Sequence, residues 1–359
     1  MTGDTGTGNT GTGDTGTGDG TKGPPGLNLD RLAAWLPSAV PDAEPDLSAR
    51  LIPGGKSNLT YEISDGTWTW ILRRPPLGHV LATAHDMARE YRVMSALRDT
   101  AVPVPEMLGL CQDESVLGAP FYLMSRVVGT PYRRAAELAA LGEERTRAIS
   151  AGLVDTLAVL HRVDPVHIGL ADFGRPDGFL ARQVSRWKKQ LDASYCRDLP
   201  AADELHGLLA ADIPDQSAAG VVHGDYRLDN ILVDDADRLV AVIDWEMATL
   251  GDPLTDLALL LVYHRLGELQ GGGAVTDVSS APGFLSEEEV IARYAAGSAR
   301  DLSRFGWYLG LASYKLAVIL EGIHYRYLHG QTVGPGFENI GPGIFPLLDT
   351  GLAAMKEYH

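Results

Sequence analysis

Between Val221 and Glu246 the chain reads VVHGDYRLDNILVDDADRLVAVIDWE, two short apolar runs with a histidine, an asparagine and several aspartates set in and between them. Apolar runs of this kind belong in an interior, where an ionised carboxylate is costly unless it is paired, hydrogen-bonded or holding a cation. Asp225, Asn230 and Asp244 therefore demand either a dense hydrogen-bond network or a metal. Any fold for this chain must bring the polar groups to one mouth while the neighbouring valines, leucines and isoleucines stay inside.

At 359 residues the chain is long enough for two lobes, and a 45% hydrophobic content suits a globular core. A formal net charge of -17 argues against a nucleic-acid partner and leaves no polybasic signal for a membrane surface. Cys111 and Cys196 are distant and unpatterned, so neither a disulfide framework nor a zinc site is indicated. The apolar runs at 257–263 and 305–314 are short of a membrane span, and no charged-then-apolar leader opens the sequence, so a cytoplasmic protein is expected.

Residues 1–24 form a Thr-Gly-Asp low-complexity stretch expected to be disordered. It contains Gly6, Gly8 and Gly11 in a formal G-x-G-x-x-G, but no strand precedes it and no helix follows, so it carries no nucleotide-binding expectation. Residues 25–127 read as a β-rich lobe. Alternating runs at 59–64 and 67–73 flank an Asp65-Gly66 turn, further strands are expected at 105–111 and 119–129, and one helix is expected over 83–98. That helix begins with Thr83 and Asp86 in capping-box form, and Glu90 falls on its inward face with Met87 and Met94. Residues 128–359 read as mostly helical, at 144–163, 178–192, 254–266, 286–297 and 303–327, interrupted only by strands over 220–244. The crevice between two such lobes is the default ligand site.

His223-Gly224-Asp225 followed by Asn230 has the form H-x-D-x-x-x-x-N, and Asp244 then arrives after the LVAVI run. This resembles the catalytic loop and metal-binding Asp of the protein-kinase-like superfamily. HGDYRLDNIL with IDWE, in place of D-F-G, is similar to the aminoglycoside phosphotransferase and choline kinase-like family over roughly residues 50–330. The resemblance implies an α+β, bilobal protein-kinase-like fold, with a small antiparallel sheet and one helix in the first lobe and a larger helical second lobe. It also implies a phosphotransferase using ATP (or GTP) and Mg²⁺ to phosphorylate a hydroxyl of a small molecule. Asp225 would be the base. Asn230 and Asp244 would hold the metal, which suits a hard cation that prefers oxygen ligands. His223 and Asp256 would brace the loop, and Asp252 with Pro253 would start the helix that carries Asp256.

In the first lobe the same resemblance assigns Gly54, Gly55, Lys56 and Ser57 to a phosphate-covering turn, and Ser125 and Val127 to the adenine edge. Arg73 stands where the superfamily usually has Lys, paired with Glu90. Arginine can bridge phosphate and carboxylate, so the departure remains chemically sound. LRRPPLGHVLATAHDMAREYRVMSAL, residues 72–97, further resembles the phosphotransferase-like region at the amino terminus of some acyl-CoA dehydrogenases. That likeness implies a hydroxylated acyl-type or other small-molecule acceptor rather than an antibiotic. The helix around 182–190 resembles one beside the acceptor pocket. Two other readings stay open: an inactive nucleotide-binding scaffold, and a metal-dependent hydrolase, although no second His or Cys sits at ligand spacing nearby.

Overall fold

The computed structural model describes residues 23–53, 58–78, 86–270, 276–332, 337 and 340–357. The low-complexity stretch up to residue 22, the 54–57 turn with Gly54, Gly55, Lys56 and Ser57, and Thr83 lie outside the described residues.

The first lobe is an antiparallel sheet of β1 (Ser48–Leu51), β2 (Leu59–Ser64), β3 (Thr69–Arg74), β4 (Met107–Cys111) and β5 (Phe121–Ser125), in the order β1-β2-β3-β5-β4. The β2–β3 hairpin turns on Asp65, whose Oδ1 accepts from the Thr67 and Trp68 amides at 2.9 and 2.7 Å, an aspartate-centred turn. One face packs on α1 (Leu29–Trp35) through Tyr61, Ile63, Leu72, Phe121 and Leu123, all fully buried. The strand period of two sends Ile71, Tyr122 and Met124 to the other face, against α2 (Met87–Leu97). Arg73 shares the parity of Ile71, so its side chain is directed at α2. On β4, Gly109 has a packing reason: an added Cβ would come within 2.5 Å of the Ala39 Cβ. A single turn, α3 (Glu114–Leu117), links β4 to β5.

The second lobe begins with α4 (Ala135–Ala139) and α5 (Glu143–Arg162), then α6 (Phe179–Ser194) and α7 (Pro200–Ala211). Two short two-stranded antiparallel sheets follow. β6 (Gly220–Val222) pairs with β9 (Thr249–Gly251), and β7 (Ile231–Val233) pairs with β8 (Leu239–Val242). Four helices complete the lobe: α8 (Leu254–Gln270), α9 (Glu287–Ser298), α10 (Phe305–Leu328) and α11 (Ile340–Glu357). Leu257 through Val262 are all buried, so α8 is enclosed on every side rather than amphipathic. α10 lies against α6, α7, α8 and α11 and buries a long apolar run in the core of the lobe.

The long periodic helices and the β2–β3 hairpin match expectation, with several differences. The first lobe holds α1 and α3 besides the one expected helix, α1 covering a face of the sheet. Residues 126–129 leave the sheet after Ser125 instead of extending β5. α2 starts at Met87 with Asp86 as its cap, Oδ1 accepting from the Arg89 amide at 2.9 Å. α4 and α7 were not expected, α7 because its register is broken by a leading proline and small residues. Nor was α11, whose Pro346 argues against a helix in isolation; packing against α10 holds it. Among the described residues, no helix is long and apolar enough to cross a membrane.

Candidate active site

The loop after β6 is held from below by one carboxylate. Asp256, on the first turn of α8, accepts from the His223 amide at 2.6 Å and the Gly224 amide at 2.8 Å, and meets His161 Nε2 at 3.4 Å. Burial opposes the Asp256 charge, but His161, His223 and these amides outweigh it and hold the carboxyl below its ordinary pKa. His161 in turn contacts the Tyr294 hydroxyl at 2.7 Å, and burial depresses its pKa. The His223 ring is fully enclosed. Its Nε2 meets the Ile243 carbonyl at 3.0 Å and its Nδ1 accepts from the Asp225 amide at 3.3 Å, tying the loop to the residue before Asp244. Both ring nitrogens are engaged by backbone. Asp252 accepts from the Leu254 amide at 3.1 Å, the Ser217 hydroxyl at 2.6 Å and the Tyr308 hydroxyl at 2.8 Å, so it caps α8 and fastens it to α10.

This bracing positions Asp225, whose side chain is 28% exposed. Its Oδ1 accepts from the Tyr263 hydroxyl at 3.0 Å; its Oδ2 accepts from Asn230 Nδ2 at 3.1 Å and Arg227 Nε at 3.3 Å. Asn230 Nδ2 also donates to the Asp225 carbonyl at 2.9 Å, which aims its amide oxygen away from the loop. Asp244 follows β8 in a left-handed conformation, φ 67° and ψ 57°, uncommon for a residue with a Cβ and characteristic of functional turns. Gly224, at φ 88°, lets the two segments meet: a Cβ there would lie 2.7 Å from that of Met247.

Arg73 reaches across from the first lobe. Its guanidinium contacts the Asp244 carboxylate and lies 3.5 Å from Glu90 and 3.8 Å from Glu246. Burial works against the Arg73 charge, yet Tyr122, Glu90 and Asp244 around it raise its pKa above the ordinary value. Glu90, 1% exposed, accepts from Asn58 Nδ2 at 3.1 Å and the Tyr122 hydroxyl at 3.0 Å. Burial pushes its carboxyl up to about 7 against the pull of Arg73. At the lobe junction the Ser125 amide N–H donates to the Glu106 carbonyl at 2.8 Å. Among the described residues, the Val127 N–H meets no backbone carbonyl.

A cavity of about 590 Å³ opens beside the loop, lined in part by Gly224, Glu246, Met247, Trp187, Arg186 and Lys315. Arg89, Arg175 and Arg182 also border it, as do Asp86 and Asp256, so with Arg186 and Lys315 basic side chains outnumber acidic ones in this cleft although the chain as a whole is strongly acidic.

The model of the phosphotransferase enzyme family matches residues 48–303. This chain belongs to that family. Acyl-CoA dehydrogenase family member 11 from Gallus gallus is 36% identical over 318 residues, covering 86% of this chain and 40% of the relative. The Homo sapiens protein of that name is 35% identical over 325 residues, 88% of this chain and 41% of the relative. The chain thus spans about two fifths of the length of these relatives, and the narrower likeness drawn from residues 72–97 holds. Among solved structures, a Ralstonia eutropha protein provisionally named an aminoglycoside phosphotransferase superposes with a TM-score of 0.80 at 32% identity, over 92% of this chain and 99% of that one. A thermostable mutant of aminoglycoside phosphotransferase APH(4)-Ia, in ternary complex with AMP-PNP and hygromycin B, gives 0.59 at 15% identity over 90% and 99%. The bilobal kinase-like fold of the family is therefore the fold of this chain.

For a metal, the donor set decides the fit. Among the described residues, no three His, Cys, Asp or Glu side chains gather as a metal site. An amide oxygen and a carboxylate at the mouth of a hairpin do suit Mg²⁺, which keeps waters and phosphate oxygens in its remaining positions. Motif reading did not single out Glu246, Tyr263, Lys315 or the His161–Tyr294 pair. Glu246 was legible as the last letter of IDWE, but the others reach the site only through helix packing and leave no local signal.

Proposed function

We propose that this protein transfers the γ-phosphoryl group of ATP, or of GTP, to a hydroxyl of a small molecule, with Asp225 as the general base. The observation that carries this reading is the placement of Asp225: a carboxylate oriented by Tyr263, Asn230 and Arg227, on a loop fastened at His223 and Gly224, beside a cavity large enough for an acceptor. The acceptor oxygen attacks the γ-phosphorus, the bond to the β-phosphate oxygen breaks, and the hydroxyl proton passes to Asp225 as ADP leaves. Asn230 and Asp244 would hold Mg²⁺, which when bound neutralises phosphate charge. Arg73, oriented by Glu90, would reach the nucleotide phosphates, and the 54–57 turn would cover them. The Val127 amide would serve the adenine edge.

For the acceptor, the arginines around the cavity favour an anionic molecule over a polycationic antibiotic. The names of the dehydrogenase relatives point the same way, to a hydroxylated acyl compound on an anionic carrier. A cytoplasmic setting accords with the two free cysteines. The deciding experiment has two readouts: thermal stabilisation by ATP with and without Mg²⁺, and ADP release with hydroxyacyl-CoA esters, aminoglycosides and amino alcohols. Metal-dependent stabilisation with turnover on at least one acceptor is expected; no response to either nucleotide overturns the reading. A second reading, an inactive nucleotide-binding scaffold, is favoured by the contact of Arg73 with Asp244, and it requires binding without product for every acceptor.

A further inference from the structure

Lys315 has no place in the reaction as described, yet it sits against the catalytic loop. It is the one charged residue on α10 between Phe305 and Leu320, and its desolvation in that apolar setting lowers its pKa. Its Nζ donates to the Gly224 carbonyl at 2.9 Å and lies 5.7 Å from the centre of the Trp187 ring. An ammonium has three donors, and among the described residues no carboxylate lies within ion-pair distance of this one and no second acceptor takes its remaining hydrogens. The carboxylates that act on it at longer range, Asp225 and Asp256, are engaged by Tyr263, Asn230 and Arg227 and by the loop amides. Lys315 borders the cavity together with the apolar side chains of Trp187, Leu311 and Ala312. A cation with spare donors on such a wall gains most from an oxygen acceptor that arrives with a ligand.

We propose that Lys315 is a specificity-determining residue whose ammonium hydrogen-bonds a carbonyl-type oxygen of the acceptor molecule, close to the hydroxyl engaged by the neighbouring Asp225. The assignment rests on the phosphotransferase reading for its role in the reaction, but the contact itself is a binding property. The competing role is a structural staple that only holds the Gly224 carbonyl.

Calorimetric titration of the full chain separates the two without requiring turnover. The probes are a short hydroxyacyl-CoA thioester and the matching hydroxyalkyl-CoA thioether, which lacks the carbonyl. Wild type should bind the thioester more tightly. Lys315→Met should weaken thioester binding about 10- to 100-fold and abolish the preference, and Lys315→Arg should restore part of it. The proposal is overturned if wild type shows no preference for the thioester, or if Lys315→Met binds both probes unchanged or weakens both equally. Nucleotide binding is followed in parallel by the thermal shift with Mg·ATP. Its absence in wild type would overturn the phosphotransferase reading, while the thioester comparison would still decide Lys315.

Discussion

Arg73 is shared by Glu90, Asp244 and Glu246, while Asp225 lies outside that cluster and pairs with Arg227. Asp225 is held part-exposed on oriented hydrogen bonds, Asp244 stands at the hairpin mouth, and Glu90 is sealed in the first lobe with its carboxyl pushed up to about 7. Replacing Asp225 with Asn keeps the shape and removes the proton acceptor that the proposed reaction assigns to it. Turnover should fall by about 10²- to 10⁴-fold with Mg·ATP binding retained, and unchanged turnover would remove Asp225 from its assigned role. Glu90 sets a different test. Its folded pKa lies above the ordinary 4.5, so between about pH 4.5 and 7 the folded state holds a proton that the unfolded chain has released. Its contribution therefore makes stability fall as pH rises through that window. Glu90→Gln should flatten the slope, read from urea midpoints at about pH 5 and about pH 8.

At the scale of elements, α2 links the two lobes. Arg89 donates to the Ala248 carbonyl at 3.0 and 3.2 Å, contacts the Phe173 carbonyl and stacks 3.9 Å above the Phe173 ring, while its neighbour Glu90 faces Arg73. The helix that orients Arg73 is thus anchored to the segment following Asp244. Arg89→Met should cost about 1–3 kcal/mol in urea unfolding and weaken Mg·ATP binding, because both ends of the proposed nucleotide site lose a common support. The loop itself is governed by steric fit. Gly224→Ala places a methyl group against Met247 in a backbone conformation that alanine avoids, so turnover should drop by at least about tenfold, with the measured loss confined to the loop's geometry if circular dichroism is unchanged.

At the scale of the whole molecule, the net charge of -17 and the arginine-lined cleft have opposite sign, so a bound anion meets a local field unlike the global one. If the acceptor is anionic, its KM should rise steadily as salt is added from about 0.05 to 0.5 M, while the KM of a neutral alcohol stays nearly flat. Much of this design was readable from the chain alone. HGDYRLDNIL and IDWE announced a loop and a hairpin because their functional groups lie within a couple of dozen residues, where spacing along the chain fixes relative position. Glu90 followed from the helix period of 3.6, which puts it on the inward face with Met87 and Met94, and Arg73 from the family resemblance at the end of the third strand. Packing alone decided that Tyr263 would orient Asp225, that His161 and Tyr294 would steady Asp256 and that α11 would form despite its proline. It also placed Lys315 in the cleft, because a side chain on α10 gains a function only when another helix or loop, far away in sequence, is folded against it.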